Sequence, residues 1–143
     1  MEGFDDRPCR FFCTEQAFMY AKAKFFGDEE VASAIMREDS DPMTVKSLGR
    51  MVSGYDDASW DAVRYDWMFK VNLERFKQNS DVRRKLLSKE YAGLEFVEAS
   101  PSDRIWGVGL AQDDPKIDDP KNWRGKNLLG KVITQCRDTL LFL

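Results

Sequence analysis

The chain has 143 residues, 43% of them hydrophobic and 33% charged, with a formal net charge of −3. That is the size and balance of one globular domain with a single core, not of a disordered or membrane-embedded chain, and it provides no global positive field for nucleic acid. Histidine is absent, which removes the commonest metal ligand and the usual base near neutral pH; acid–base work falls to carboxylates, Lys, Cys or Tyr, and no metal or cofactor is expected.

The start, MEGFDDRPCRFF, carries acids where a secretory signal needs a basic stretch, and no long apolar run follows it. A cytoplasmic location without membrane contact is expected. Cys9, Cys13 and Cys136 show no paired spacing and are odd in number, so thiols rather than a disulfide framework are expected.

TEQAFMYAKAKFF, from Thr14 to Phe26, is rich in helix formers, with Thr14 as an N-cap, Glu15 in the first turn and Gly27 as a stop. EEVASAIMRED predicts a second short helix with Val31, Ile35 and Met36 inward. Asp41-Pro42 breaks it, and Pro42 at a first helical position opens a third, through MTVKSLGRMV to near Gly54. The longest periodic stretch, Trp60 to Asn79, keeps Trp60, Val63, Trp67, Val71 and Phe76 close to one face and predicts the central helix.

Asn79 or Ser80 can cap the next helix, DVRRKLLS, and Lys89 to Gly93 reads as a turn. LEFVEAS suits a short strand or an extended segment. The following stretch, SPSDRIWGVGLAQDDPKIDDPKNWRGKN, is far longer than most connections, and Trp106 and Trp123 within it favour an ordered binding loop. NLLGKVITQCRDTLLFL closes the chain as an amphipathic helix with Asn127 as its cap. The expected class is α+β, predominantly helical: a single domain over residues 1–143 with a small sheet or extended segment and a long loop rich in Gly, Trp and Asp.

Several positions could carry chemistry. Glu15 and Lys22 lie seven apart, two turns along one helix face; a solvated charged face is the commoner use of such a pair. Gly49-Arg50, with Lys46, could hold a phosphate, although an arginine at a helix end also complements the dipole. In SPSDRIWGVG, Asp103 precedes Trp106 and Gly107, which suits either backbone approach to a ligand with a stacking ring or a core tryptophan behind a capped turn. WRGKNLLG could present amides at a helix start to an anion, helped by Arg124 and Lys126, without the spacing of a P-loop. Trp67 reads as core, and Trp60, at the start of its helix, could face a cleft.

Taken in order, TEQAFMYAKAKFF, DPMTVKSLGR, SWDAVRYDWMFKVNLERFKQN, LEFVEASPSDRIWGVG and WRGKNLLGKVITQCRD resemble the NADAR/YbiA-like family from about Thr14 to the end of the chain. The resemblance implies a hydrolase that cleaves an N-glycosidic bond, acting on phosphoribosylamino intermediates of riboflavin synthesis or removing ADP-ribose from guanine in nucleic acid. It matches the family's helix Glu, helix Lys and Asp before Trp-Gly to Glu15, Lys22 and Asp103, the catalytic candidates, and a functional tryptophan to Trp60; Arg50, Trp60, Trp106, Gly107 and Asn127 are the substrate-binding candidates. The pattern departs at Gln16-Ala17, where the family usually has an aromatic residue after the Glu, and in the short stretch upstream of Thr14.

Cleaving a ribosyl C–N bond builds positive charge at C1 and the ring oxygen, which a carboxylate beside the anomeric carbon would stabilise. Glu15 could serve there or direct water, with Asp103 as the second carboxylate. Alternatively, Lys22 could form a Schiff base at C1 of a ring-opened ribosylamine. The expected partner is a small ribosyl-nitrogen substrate. An ADP-ribosylated nucleic acid would expect a basic rim near Lys121, Arg124 and Lys126, which Asp113, Asp114, Asp118 and Asp119 offset. A module that binds ADP-ribose-like ligands without catalysis is the reading from another class.

Overall fold

The computed structural model describes residues 10–142; Cys9 and the acidic start of the chain lie outside the described residues. The backbone falls into two compact units that divide between Gln78 and Asn79. Among the described residues no helix is long and apolar enough to cross a membrane.

The first unit contains α1 (Thr14–Phe25), α2 (Glu29–Arg37), α3 (Pro42–Gly49) and α4 (Asp57–Gln78). Its centre is α1, which packs against the other three. That position requires burial around most of the helix, and Gln16, Ala17, Phe18, Tyr20, Ala21 and Ala23 are all buried. The alanines keep the helix thin, so neighbours can approach on several sides. Gly49 does the same on α3, where a Cβ would strike the Met19 side chain.

The helix boundaries follow local chemistry. Cys13, not Thr14, occupies the N-cap position of α1, in extended backbone and without a side-chain bond. After Gly27, which turns the chain at φ +75°, Asp28 caps α2 by accepting from the Val31 amide at 3.0 Å. Asp41 caps α3 through the Met43 amide (3.0 Å) and the Thr44 hydroxyl (2.8 Å), and Pro42 follows it as expected. That helix stops at Gly49, short of Gly54. The long helix starts earlier than Trp60 because Asp56 accepts from both the amide (2.9 Å) and the hydroxyl (2.6 Å) of Ser59, placing Asp57 in the first turn.

Gln16, where the sequence leaves the family pattern, is 2% exposed. Its side-chain N–H donates to the Ile35 carbonyl (3.0 Å) and the Glu38 carbonyl (2.8 Å), and its Oε1 accepts from the Phe12 amide at 2.7 Å. It ties α1 to the end of α2, satisfying carbonyls a helix terminus leaves over. The departure therefore has a packing reason.

The second unit contains α5 (Ser80–Leu86), α6 (Leu128–Leu141) and short 3₁₀ turns at Lys89–Tyr91, Pro115–Asp118 and Pro120–Asn122. The expected small sheet is not formed: among the described residues there is no strand, and the class is helical rather than α+β. Residues 94–100 are extended, but side chains from α6 and its start take the place of a neighbouring strand. The Phe96 amide donates to Thr134 Oγ1 (2.9 Å), the Glu98 amide to Asn127 Oδ1 (2.9 Å), and Asn127 Nδ2 donates to the Phe96 carbonyl (3.0 Å). Arg137, 4% exposed, donates to the carbonyls of Tyr91 and Leu94 and lies over the Phe96 ring. The segment is half-buried, and the surface it lies on is a helix.

Candidate active site

The four site residues expected in the first unit share its two principal helices and the turn after α3. Glu15 and Lys22 both lie on α1 and are partly buried. Arg50 is the exposed C-cap residue of α3. It sits near enough to Lys22 to disfavour the lysine's charge. Trp60 is 5% exposed and packed among Phe18, Phe25 and Phe26, with ring centroids 5.4, 5.8 and 6.1 Å away. Trp60 is thus a core ring, as both tryptophans of this helix could be, and Trp67 is only partly buried. At 5% exposure Trp60 has little surface to offer a ligand.

Lys22 has an unusual setting. Burial pulls its ammonium below the ordinary lysine value; attraction to Asp57 partly opposes this, and repulsion from Arg50 reinforces it. Its Nζ lies 4.6 Å from the centre of the Tyr55 ring, a cation–π geometry. The Tyr55 hydroxyl hydrogen-bonds Asp57, and this bond, with burial and the nearby Asp57 and Asp61 charges, pushes the phenol up to about 12. Asp61 also pairs with Arg64 at 2.9 Å. Sequence reading missed Tyr55 and Asp57. The available signal was the run Tyr55-Asp56-Asp57-Ala58-Ser59, whose Asp and Ser spacing marks a capped helix start before Trp60.

In the second unit, Asp103 Oδ1 accepts from the amides of Ile105 (3.0 Å) and Trp106 (2.8 Å), capping the turn that carries the tryptophan. Trp106 is partly buried, and its carbonyl accepts from the Leu129 amide at 3.0 Å. Gly107 is required by packing: a Cβ there would lie 2.8 Å from the Asp103 carbonyl oxygen and 3.0 Å from that of Glu98. Asn127 is fully buried in the left-handed region at φ 53°. It occupies the N-cap position of α6 as expected, but its side-chain amide is committed to residues 96 and 98 and joins the extended segment to that helix start without making a capping bond.

The amides proposed for an anion at the start of α6 are also occupied. Leu128 donates to the Ile105 carbonyl (3.1 Å) and Leu129 to that of Trp106 (3.0 Å), so the WRGKNLLG turn is an internal joint. The long loop is ordered by these contacts and by the Arg124 amide on the Val108 carbonyl at 2.8 Å. Trp123 donates its indole N–H to the Ile117 carbonyl at 2.8 Å. Asp114 and Asp119 each cap a short 3₁₀ turn led by proline.

Comparison with known proteins places the chain. The sequence model of the NADAR domain matches residues 2–141. The chain belongs to the NADAR family. It is similar to the protein irg-1 of Caenorhabditis elegans, 43% identical over 133 residues that cover 92% of this chain. The chain spans only 61% of the length of that relative. An N-glycosidase of Acanthamoeba polyphaga mimivirus is 43% identical over 125 residues, covering 87% of this chain and 71% of the viral protein. N-glycosidase YbiA of Escherichia coli K12 is 31% identical over 121 residues, 85% of this chain and 67% of YbiA. The NMR structure of E. coli YbiA superposes with a TM-score of 0.69 at 29% identity, covering 90% of this chain and 67% of that one. This NADAR match runs through every segment that carried the resemblance.

Proposed function

We propose that this NADAR chain hydrolyses the bond between ribose C1 and a nitrogen substituent of a phosphoribosylated or ADP-ribosylated small molecule, of the kind found among riboflavin-pathway intermediates. The observation that carries the reading is Lys22, a partly buried lysine that lies against the Tyr55 ring and whose ammonium is pulled below the ordinary lysine value by burial, on the same helix as Glu15. Two relatives are named N-glycosidases, and the family's residue pattern supports the assignment of Glu15, Lys22 and Asp103.

A ribosylamine opens reversibly to an imine at C1. The Lys22 Nζ lone pair adds to that carbon, the bond from C1 to the substrate nitrogen breaks, and the departing nitrogen takes a proton for which Glu15 is the donor. The protonated Schiff base that remains is attacked by water, whose surplus proton returns to the Glu15 carboxylate, the C1–Nζ bond breaks, and sugar and neutral lysine are released. Arg50 is assigned a substrate phosphate. Asp103 is assigned the sugar hydroxyls on the strength of the family pattern.

The test incubates the protein separately with ADP-ribosylated guanosine and with phosphoribosylamino-pyrimidine intermediates, following release of free base and sugar by mass spectrometry. Release lost in Glu15→Ala and Lys22→Ala, with a borohydride-trapped sugar on Lys22, supports the reading and identifies the substrate class. Release from the guanosine alone would favour removal of ADP-ribose from guanine. Binding without release from either would make the chain a ligand-binding module.

A further inference from the structure

The setting of Lys22 raises a chemical problem that its neighbours resolve. Asp57 attracts the ammonium, yet among the described residues Lys22 forms no ion pair. A lysine locked to a carboxylate would be held protonated and could not attack carbon. What lies against Lys22 is Tyr55, whose ring covers the ammonium at 4.6 Å and whose hydroxyl is engaged by Asp57.

We propose that Tyr55 is a positioning residue for Lys22: its hydroxyl occupies the Asp57 carboxylate and its ring covers the amine, keeping Lys22 out of an ion pair and available to carbon. The inference rests on the reading of Lys22 as the nucleophile. Tyr55 is itself held in place. Phe26 packs edge-on against it at 5.3 Å, and Ser53, two residues earlier, is bonded to Asp28 through its amide (2.8 Å) and hydroxyl (3.0 Å). The charged groups bearing on the pair are Arg50 and Asp57 on Lys22, and Asp57, Asp61 and Arg64 on Tyr55. Arg50 disfavours the lysine's charge by repulsion, whereas the Tyr55 ring attracts the ammonium and so holds the side chain in place. The ring also offers a face to the cationic Schiff base, so the same residue serves the amine before attack and the iminium after it.

The test is competitive acetylation of the intact protein by acetic anhydride from neutral to alkaline pH, quantifying the Lys22 peptide by mass spectrometry against exposed Lys121. In Tyr55→Phe the Asp57 carboxylate loses its hydroxyl partner and turns to Lys22. Labelling at neutral pH should then fall about three- to tenfold, with the midpoint moving up by as much as about one pH unit. Asp57→Asn alone should speed labelling, and Tyr55→Phe combined with Asp57→Asn should return the rate to the wild-type level or above. Unchanged labelling of Lys22 in Tyr55→Phe, or a double variant as slow as the single, would overturn the proposal. The readout needs no turnover: a labelling shift without any borohydride adduct keeps the positioning role and removes the nucleophile reading, whereas an adduct with unshifted labelling does the reverse.

Discussion

Asp28 and Ser53 are joined by two hydrogen bonds to one carboxylate oxygen, from the Ser53 amide at 2.8 Å and its hydroxyl at 3.0 Å. The other oxygen caps α2. One side chain thus fixes both the turn after α1, which carries Lys22, and the loop that leads to Tyr55. The bond from the Ser53 amide, followed by that from Val31, holds the Asp28 carboxyl below its ordinary value. A depressed acid contributes stability that is present above the unfolded carboxylate pKa and lost as pH falls through the folded one. Asp28→Ala is therefore expected to lower Tm at neutral pH, with the gap from wild type closing in acid below the ordinary carboxylate range. Thermal melts of both proteins across that range check it; a gap independent of pH would exclude the carboxylate as the cause.

Gln16→Ala removes the donor to two carbonyls and the acceptor for the Phe12 amide at a site only 2% exposed. Stranding buried polar groups of this kind should cost roughly 2–4 kcal/mol. Urea unfolding of the variant measures it. A loss below about 0.5 kcal/mol would mean that water replaces the side chain without penalty.

The helices of the first unit were legible because their punctuation is local. Gly27 and Asp41-Pro42 mark boundaries that the hydrogen bonds of Asp28 and Asp41 then complete, and Ile35 is inward as its spacing required. The second unit was less legible because its bonds join residues far apart in sequence. Nothing in LEFVEAS announces that Thr134, Asn127 and Arg137 will bind its backbone in place of a strand. The candidate residues divide similarly. Helical spacing put Glu15 and Lys22 on one face and the family resemblance made them candidates, whereas Tyr55 and Asp57 lie outside the periodic segments and acquire meaning only beside Lys22.

Gly107 and Gly93 separate two reasons for having glycine. At Gly107 an added Cβ meets backbone oxygens of Asp103 and Glu98, which cannot step aside; at Gly93 nothing lies nearby, and only φ +74° is strained. Gly107→Ala is expected to cost about 2–3 kcal/mol by overpacking, and Gly93→Ala about 1 kcal/mol from its backbone alone. Urea unfolding should rank them in that order; the opposite order would mean that the loop around Gly107 yields.

Asp103 allows its fold role to be separated from its proposed chemical one. Its Oδ1 accepts from Ile105 and Trp106, which an asparagine carbonyl can do equally, whereas alanine cannot. Asp103→Ala should lose about 1–2 kcal/mol as the turn loses its cap. Asp103→Asn should stay within about 0.5 kcal/mol of wild type. If the carboxylate charge takes part in the reaction, the asparagine variant should nonetheless lose about a hundredfold in kcat/KM on whichever ribosyl substrate is turned over. Stability and rate measured on the same preparations decide between the roles. A stable Asp103→Asn variant with full activity would restrict Asp103 to holding the Trp106 turn.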